Sequence, residues 1–119
     1  MGKRSRRRGA ADALTAPESS YRSPEGDVLV LRGAMTPATR REYADAGGPA
    51  TSREDAWQRS AEFLFERLAV RWEIAGAEPL TRQKELLGRY RLASQHERRW
   101  IRDVLREHLA EHFPELEAP

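Results

Sequence analysis

The chain has 119 residues, with 21 lysines and arginines against 19 aspartates and glutamates, three histidines and no cysteine. That length holds one domain, or a domain with a tail, and excludes a barrel enzyme or a complete dinucleotide-binding fold. The lack of cysteine excludes disulfides, thiolate zinc sites, iron–sulfur clusters and a cysteine nucleophile, and no apolar run approaches the roughly 18 residues that span a bilayer.

Residues 1–26 carry six basic and three acidic side chains among Gly, Ser and Pro, with few large apolar groups. Nothing there offsets the entropy lost on ordering, so this segment is expected to be a disordered basic tail. Its positive charge gathers in Lys3, Arg4, Arg6, Arg7 and Arg8. Asp12, Thr15, Pro17 and Glu18 interrupt any apolar stretch after that cluster, so it does not read as a secretory signal and the expected location is the cytoplasm.

Residues 27–51 are expected to form an extended arm and a short helix. Val28–Leu31 is an apolar run between turn signals, which suits a buried strand. No partner strand is visible, so an arm lying on helices is the expectation. Thr36-Pro37 reads as an N-cap followed by proline at the first helical position, and Gly47-Gly48 as a stop, giving a helix from Pro37 to about Ala46.

Residues 52–119 are expected to be the helical domain. Ser52 or Thr51 can cap a first helix, with Asp55 or Glu54 as the third-position partner; it should run to Ala75 and stop at Gly76. A second helix follows from about Pro79 to Leu92. Ser94-Gln-His-Glu97 is a capping box that opens a third, ending before Pro114. Residues 52–113 hold 19 Trp, Phe, Tyr, Leu, Ile and Val side chains, enough for a small core. The predicted fold is therefore all-α: a small three-helix bundle with an additional short helix and extended arm.

At about 100° per residue, the first helix acquires two apolar stripes. Trp57, Ala61, Leu64, Phe65, Leu68, Trp72 and Ala75 make the broad one, and Phe63, Val70 and Ile74 the other. The arm and the 37–46 helix can cover the second stripe, or it is a surface for a protein partner or a second copy. On the last helix Trp100, Ile101, Val104, Leu105 and Leu109 are apolar, while Arg98, Arg99, Arg102 and Arg106 gather on one flank. Such a ridge complements an acidic partner or phosphate. Arginine outnumbers lysine 19 to 2, the codon bias of a GC-rich genome, which weakens the count itself as a sign of nucleic acid.

His108-Leu-Ala-Glu111-His112 resembles the H-x-x-E-H motif of the inverzincin metallopeptidases, in which two histidines on one helix face bind zinc beside a glutamate base. That resemblance implies a further acidic ligand well downstream, and only Glu115 and Glu117 follow. The pair is expected instead at the edge of the core near a helix C-terminus. Residues 80–101 resemble a helix-turn-helix, which implies base reading by Gln95, His96, Arg98 and Arg99. Yet residues 52–119 carry 12 basic and 13 acidic side chains, whereas a DNA-binding core is clearly basic.

The sequence thus predicts a noncatalytic interaction or regulatory protein, with no cofactor, metal or membrane attachment. Phe63, Val70, Ile74, Arg99, Arg102 and Arg106 are the expected contacts to a protein partner or a second copy. The alternative is a nucleic-acid-binding accessory protein that uses Lys3, Arg4, Arg6, Arg7 and Arg8 with the arginine ridge.

Overall fold

A computed structural model describes residues 17–46, 48 and 52–119. Within them the chain runs β1 (Glu18–Arg22), β2 (Val28–Arg32), α1 (Pro37–Ala44), α2 (Arg53–Leu68), β3 (Ala69–Glu73), α3 (Gln83–Arg91) and α4 (Gln95–His112). The fold is not all-α, and it is not a helical bundle. Its strands form an antiparallel sheet in the order β1-β2-β3, backed by helices.

Two misreadings explain the difference. Residues 18–22, assigned above to the disordered tail, form a strand paired with β2 from Glu18 opposite Arg32 to Arg22 opposite Val28. Polar strands of this kind carry a weak sequence signal, because an edge strand can be solvated on one face. Ser23–Asp27 closes the hairpin: the Ser23 N–H donates to the Asp27 carbonyl at 2.8 Å, and Gly26 adopts a positive φ of 92°. The first long helix ends at Leu68 rather than Ala75, and the chain passes directly into β3 through Ala69 at φ −67°, ψ 125°. Val70, Trp72 and Ile74 also alternate with period two, and β2 supplies the ladder that makes this reading win. A bulge near Val30 and Leu31 shifts the register, so Val30 faces Arg71 while Leu31 faces Ala69.

Two of the remaining helices start at their sequence signals, whereas α3 starts at Gln83 rather than Pro79, because Leu80 pairs with Trp72 as an isolated bridge beside the sheet. Thr36 caps α1 by accepting the Thr39 N–H, with Pro37 at its start. Ser52 caps α2 through Asp55, and Ser94 with Glu97 forms the reciprocal capping box of α4.

The core lies between the inner face of the sheet and the helices. Leu29 and Leu31 of β2 and Trp72 of β3 are fully buried against Leu64, Phe65 and Leu68 of α2 and Ile101, Leu105 and Leu109 of α4. Phe65 stacks on Tyr90 of α3 with 4.7 Å between centroids and meets Trp72 edge-on at 5.5 Å. Arg89 lies 5.1 Å over the Trp72 ring and bonds Glu97 at 2.6 Å, which ties α3 to α4. Burial alone would raise the Glu97 carboxyl; the Ser94 N–H and the Arg89 guanidinium outweigh it and hold the group below its usual range. After α4 the chain turns at Phe113 and returns across α1, where Glu115 meets Arg40 at 2.7 Å and the Tyr43 hydroxyl donates to the Glu117 carbonyl. No helix among the described residues is long and apolar enough to cross a membrane.

Candidate functional site

The capping box fixes where α4 starts, and so fixes the phase of its arginines. The Glu97 N–H donates to Ser94 Oγ at 3.1 Å, and the Ser94 N–H donates to Glu97 Oε1 at 2.9 Å. Ile101, Val104 and Leu105 then point into the core. Arg98, Arg102 and Arg106 form one i, i+4 row, with Arg99 beside it.

The four arginines have different work. Arg98 folds back over the end of α3, donating to the Arg91 carbonyl at 3.0 Å and the Ala93 carbonyl at 3.3 Å, 5.3 Å over the Tyr90 ring. Arg102 lies over the Trp57 ring of α2, 4.1 Å from its centroid, and donates to the Pro119 backbone oxygen at 3.2 Å. Arg99 and Arg106 are exposed and form no ion pair among the described residues.

The N-terminal turns of α2 and α4 face each other across an open groove of about 740 Å³. Arg53, Glu54, Trp57 and Gln58 line it from α2, and Gln95, Arg98, Arg99 and Arg102 from α4, with Ala93 at the turn before α4. Among the described residues, four guanidiniums thus share the groove with one carboxylate, Glu54. A second cavity of about 480 Å³ continues beneath the returning segment, and Arg53, Trp57 and Arg102 line both. Arg106 lines only the second.

The helical period singles out Arg99, Arg102 and Arg106 as contacts but not Arg53 or Trp57; Trp57, expected in the core stripe, is only half-buried. No local signal brings the start of α2 beside the start of α4; only their packing does.

Phe63, Val70 and Ile74 do not form a contact stripe, because the helix that would align them ends at Leu68. Phe63 stays on α2, packed against Tyr43 of α1 at 6.1 Å and under Arg67 at 5.0 Å. Val70 stands in β3, and Ile74, just beyond it, packs on the core. Lys3, Arg4, Arg6, Arg7 and Arg8 lie outside the described residues.

The two histidines of the H-x-x-E-H run join α4 to the sheet. His108 is fully buried; its ring nitrogens meet the Tyr21 hydroxyl and the Arg32 carbonyl, both at 2.8 Å. A carbonyl can only accept, so Nε2 carries the proton and Nδ1 accepts from Tyr21 in the neutral ring. Burial holds the His108 pKa below its ordinary value, against the opposing Arg32 carbonyl. His112 lies 4.5 Å away and meets Ser19 Oγ at 2.9 Å, while Glu111 is exposed. Among the described residues no group of three or more His, Asp or Glu side chains is placed to hold a metal ion. The helix-turn-helix residues are also divided: His96 is 3.3 Å from Glu25, away from the groove, while Gln95, Arg99 and the α3-tied Arg98 line it.

Comparison with protein-family models, curated proteins and solved structures finds no match for this chain.

Proposed function

We propose that this chain is a noncatalytic interaction protein that docks an acidic segment of a protein partner in the arginine groove between α2 and α4. The carrying observation is the convergence of Arg53, Arg98, Arg99 and Arg102 around Trp57 with a single opposing carboxylate. Guanidiniums bind carboxylates through paired N–H donors, and Arg98 and Arg102 are already held in place, which lowers the entropic cost of binding. Half-buried Trp57 adds apolar surface of the kind that anchors protein contacts. The balanced charge of residues 52–119 favours a protein segment over a phosphate backbone. We place the interaction in the cytoplasm on the sequence grounds above.

The test is fluorescence anisotropy of a labelled peptide of alternating glutamate and leucine, beside mixed-sequence single-stranded DNA of equal charge. Peptide binding that weakens with salt and is lost in Arg99→Glu supports the reading. Tighter binding of the DNA, with no effect of Arg99→Glu on the peptide, would overturn it.

A further inference from the structure

The returning segment 114–119 stands against the lower part of the same arginine face. Its two carboxylates, Glu115 and Glu117, flank Leu116, which packs on the core. Arg40 holds Glu115, Tyr43 donates to the Glu117 carbonyl, and Arg102 donates to the Pro119 oxygen. This segment walls the second cavity, opposite Arg53, Arg102 and Arg106.

The charges in the two halves of the groove are therefore unequal. In the lower half Glu115 and Glu117 line the cavity together with Arg53, Arg102 and Arg106, and Glu115 is paired with Arg40. In the upper half, among the described residues, only Glu54 adds a carboxylate beside the arginines. The same Trp57 and Arg102 floor both halves, so one extended ligand can follow them through.

From this, and resting on the function proposed above, we infer that segment 114–119 is an intramolecular occupant of the groove, and that the partner's docking segment is a peptide of acidic–apolar–acidic pattern that displaces it. The polar hold on the segment suits an exchangeable contact. The Arg40–Glu115 pair is about half exposed on both sides, and such solvent-screened pairs contribute little. Leu116 and Pro119 supply the apolar anchorage, and a partner's apolar residue can replace it. Being tethered, the segment competes at high effective concentration, so it sets a threshold that a partner must exceed.

The experiment uses a fluorescein-labelled peptide copying residues 113–119, Phe-Pro-Glu-Leu-Glu-Ala-Pro, added to the full chain. It is titrated against the wild type, against a release variant carrying Glu115→Gln and Leu116→Ser, and against Tyr43→Phe, which removes one hydrogen bond and keeps the ring. Thermal melts confirm that each variant is folded. Affinity is expected to rise about tenfold in the release variant, the change for a segment docked about nine-tenths of the time, and to rise less in Tyr43→Phe. Adding Arg102→Glu to the release variant should abolish binding. Unchanged or weaker affinity in both folded variants, with Arg99→Glu still lowering binding of the glutamate–leucine peptide, overturns the competition and leaves the docking groove standing. Loss of neither interaction in the arginine variants overturns both. Tighter binding of equal-charge single-stranded DNA than of peptide by the release variant overturns the choice of a peptide partner.

Discussion

His108→Leu tests how the helical layer is joined to the sheet. Leucine approximates the volume of the imidazole, so the cavity term is small and the hydrogen bonds dominate. Two bonds of 2.8 Å are lost, and the Arg32 carbonyl and Tyr21 hydroxyl lose their partner. At about 1 kcal/mol for each bond, and about as much again for the acceptor left without a donor, the cost near pH 7.5 is about 3 kcal/mol. For a domain of this size that lowers Tm by about 12 °C. The pH dependence makes the test specific. Burial lowers the folded pKa of His108 below its ordinary 6.5, so below that pH the unfolded chain takes up a proton that the folded chain resists. Stability from the neutral ring is complete above pH 6.5 and is lost as pH falls toward the folded pKa. The leucine variant has no such loss. Urea unfolding of both proteins at pH 7.5 and 5.0 should therefore show the gap between them narrowing at the lower pH, other titrating groups being common to both. A gap that stays constant or widens would refute the buried neutral ring.

Three further outcomes follow from particular contacts. A Cβ at Gly33 would stand 2.9 Å from His112 Nδ1, so Gly33→Ala should destabilise by about 1–2 kcal/mol in urea unfolding, with less effect when His112 is also shortened to alanine. Ser94→Ala removes the capping box and should cost about 1 kcal/mol; since it also loosens the start of α4, peptide affinity for the groove should fall with it. Burial, with Glu117 nearby, pushes the Tyr43 phenol up to about 12, so in a spectrophotometric titration Tyr43→Phe should remove the highest-pH phenolate transition.

Helix starts were legible because they are local. Thr36-Pro37 and Ser94-Gln-His-Glu97 specify their own backbone hydrogen bonds within four residues, and the structure places α1 and α4 there. The arginine row was legible too, since helical period alone puts Arg98, Arg102 and Arg106 on one flank. The sheet was not. Ser19 and Tyr21 of β1 gain their meaning only from His112 and His108, 93 and 87 residues away along the chain. Residues 69–74 satisfy a helical and an extended pattern alike, and β2 decides between them by offering backbone partners that no local window contains.

For the candidate site, the sequence by itself determined the charge and spacing of one wall, because α4 is set by its own capping box and period. Tertiary structure decided the rest: that Arg53 and Trp57 form the opposite wall, that Arg98 is anchored against α3 while Arg99 remains exposed, and that residues 114–119 return to the same face. Those relations join residues far apart in the chain. They are fixed by burying Leu29, Leu31 and Trp72 of the sheet against α2 and α4, and that burial sets the angle and depth at which the two helices meet.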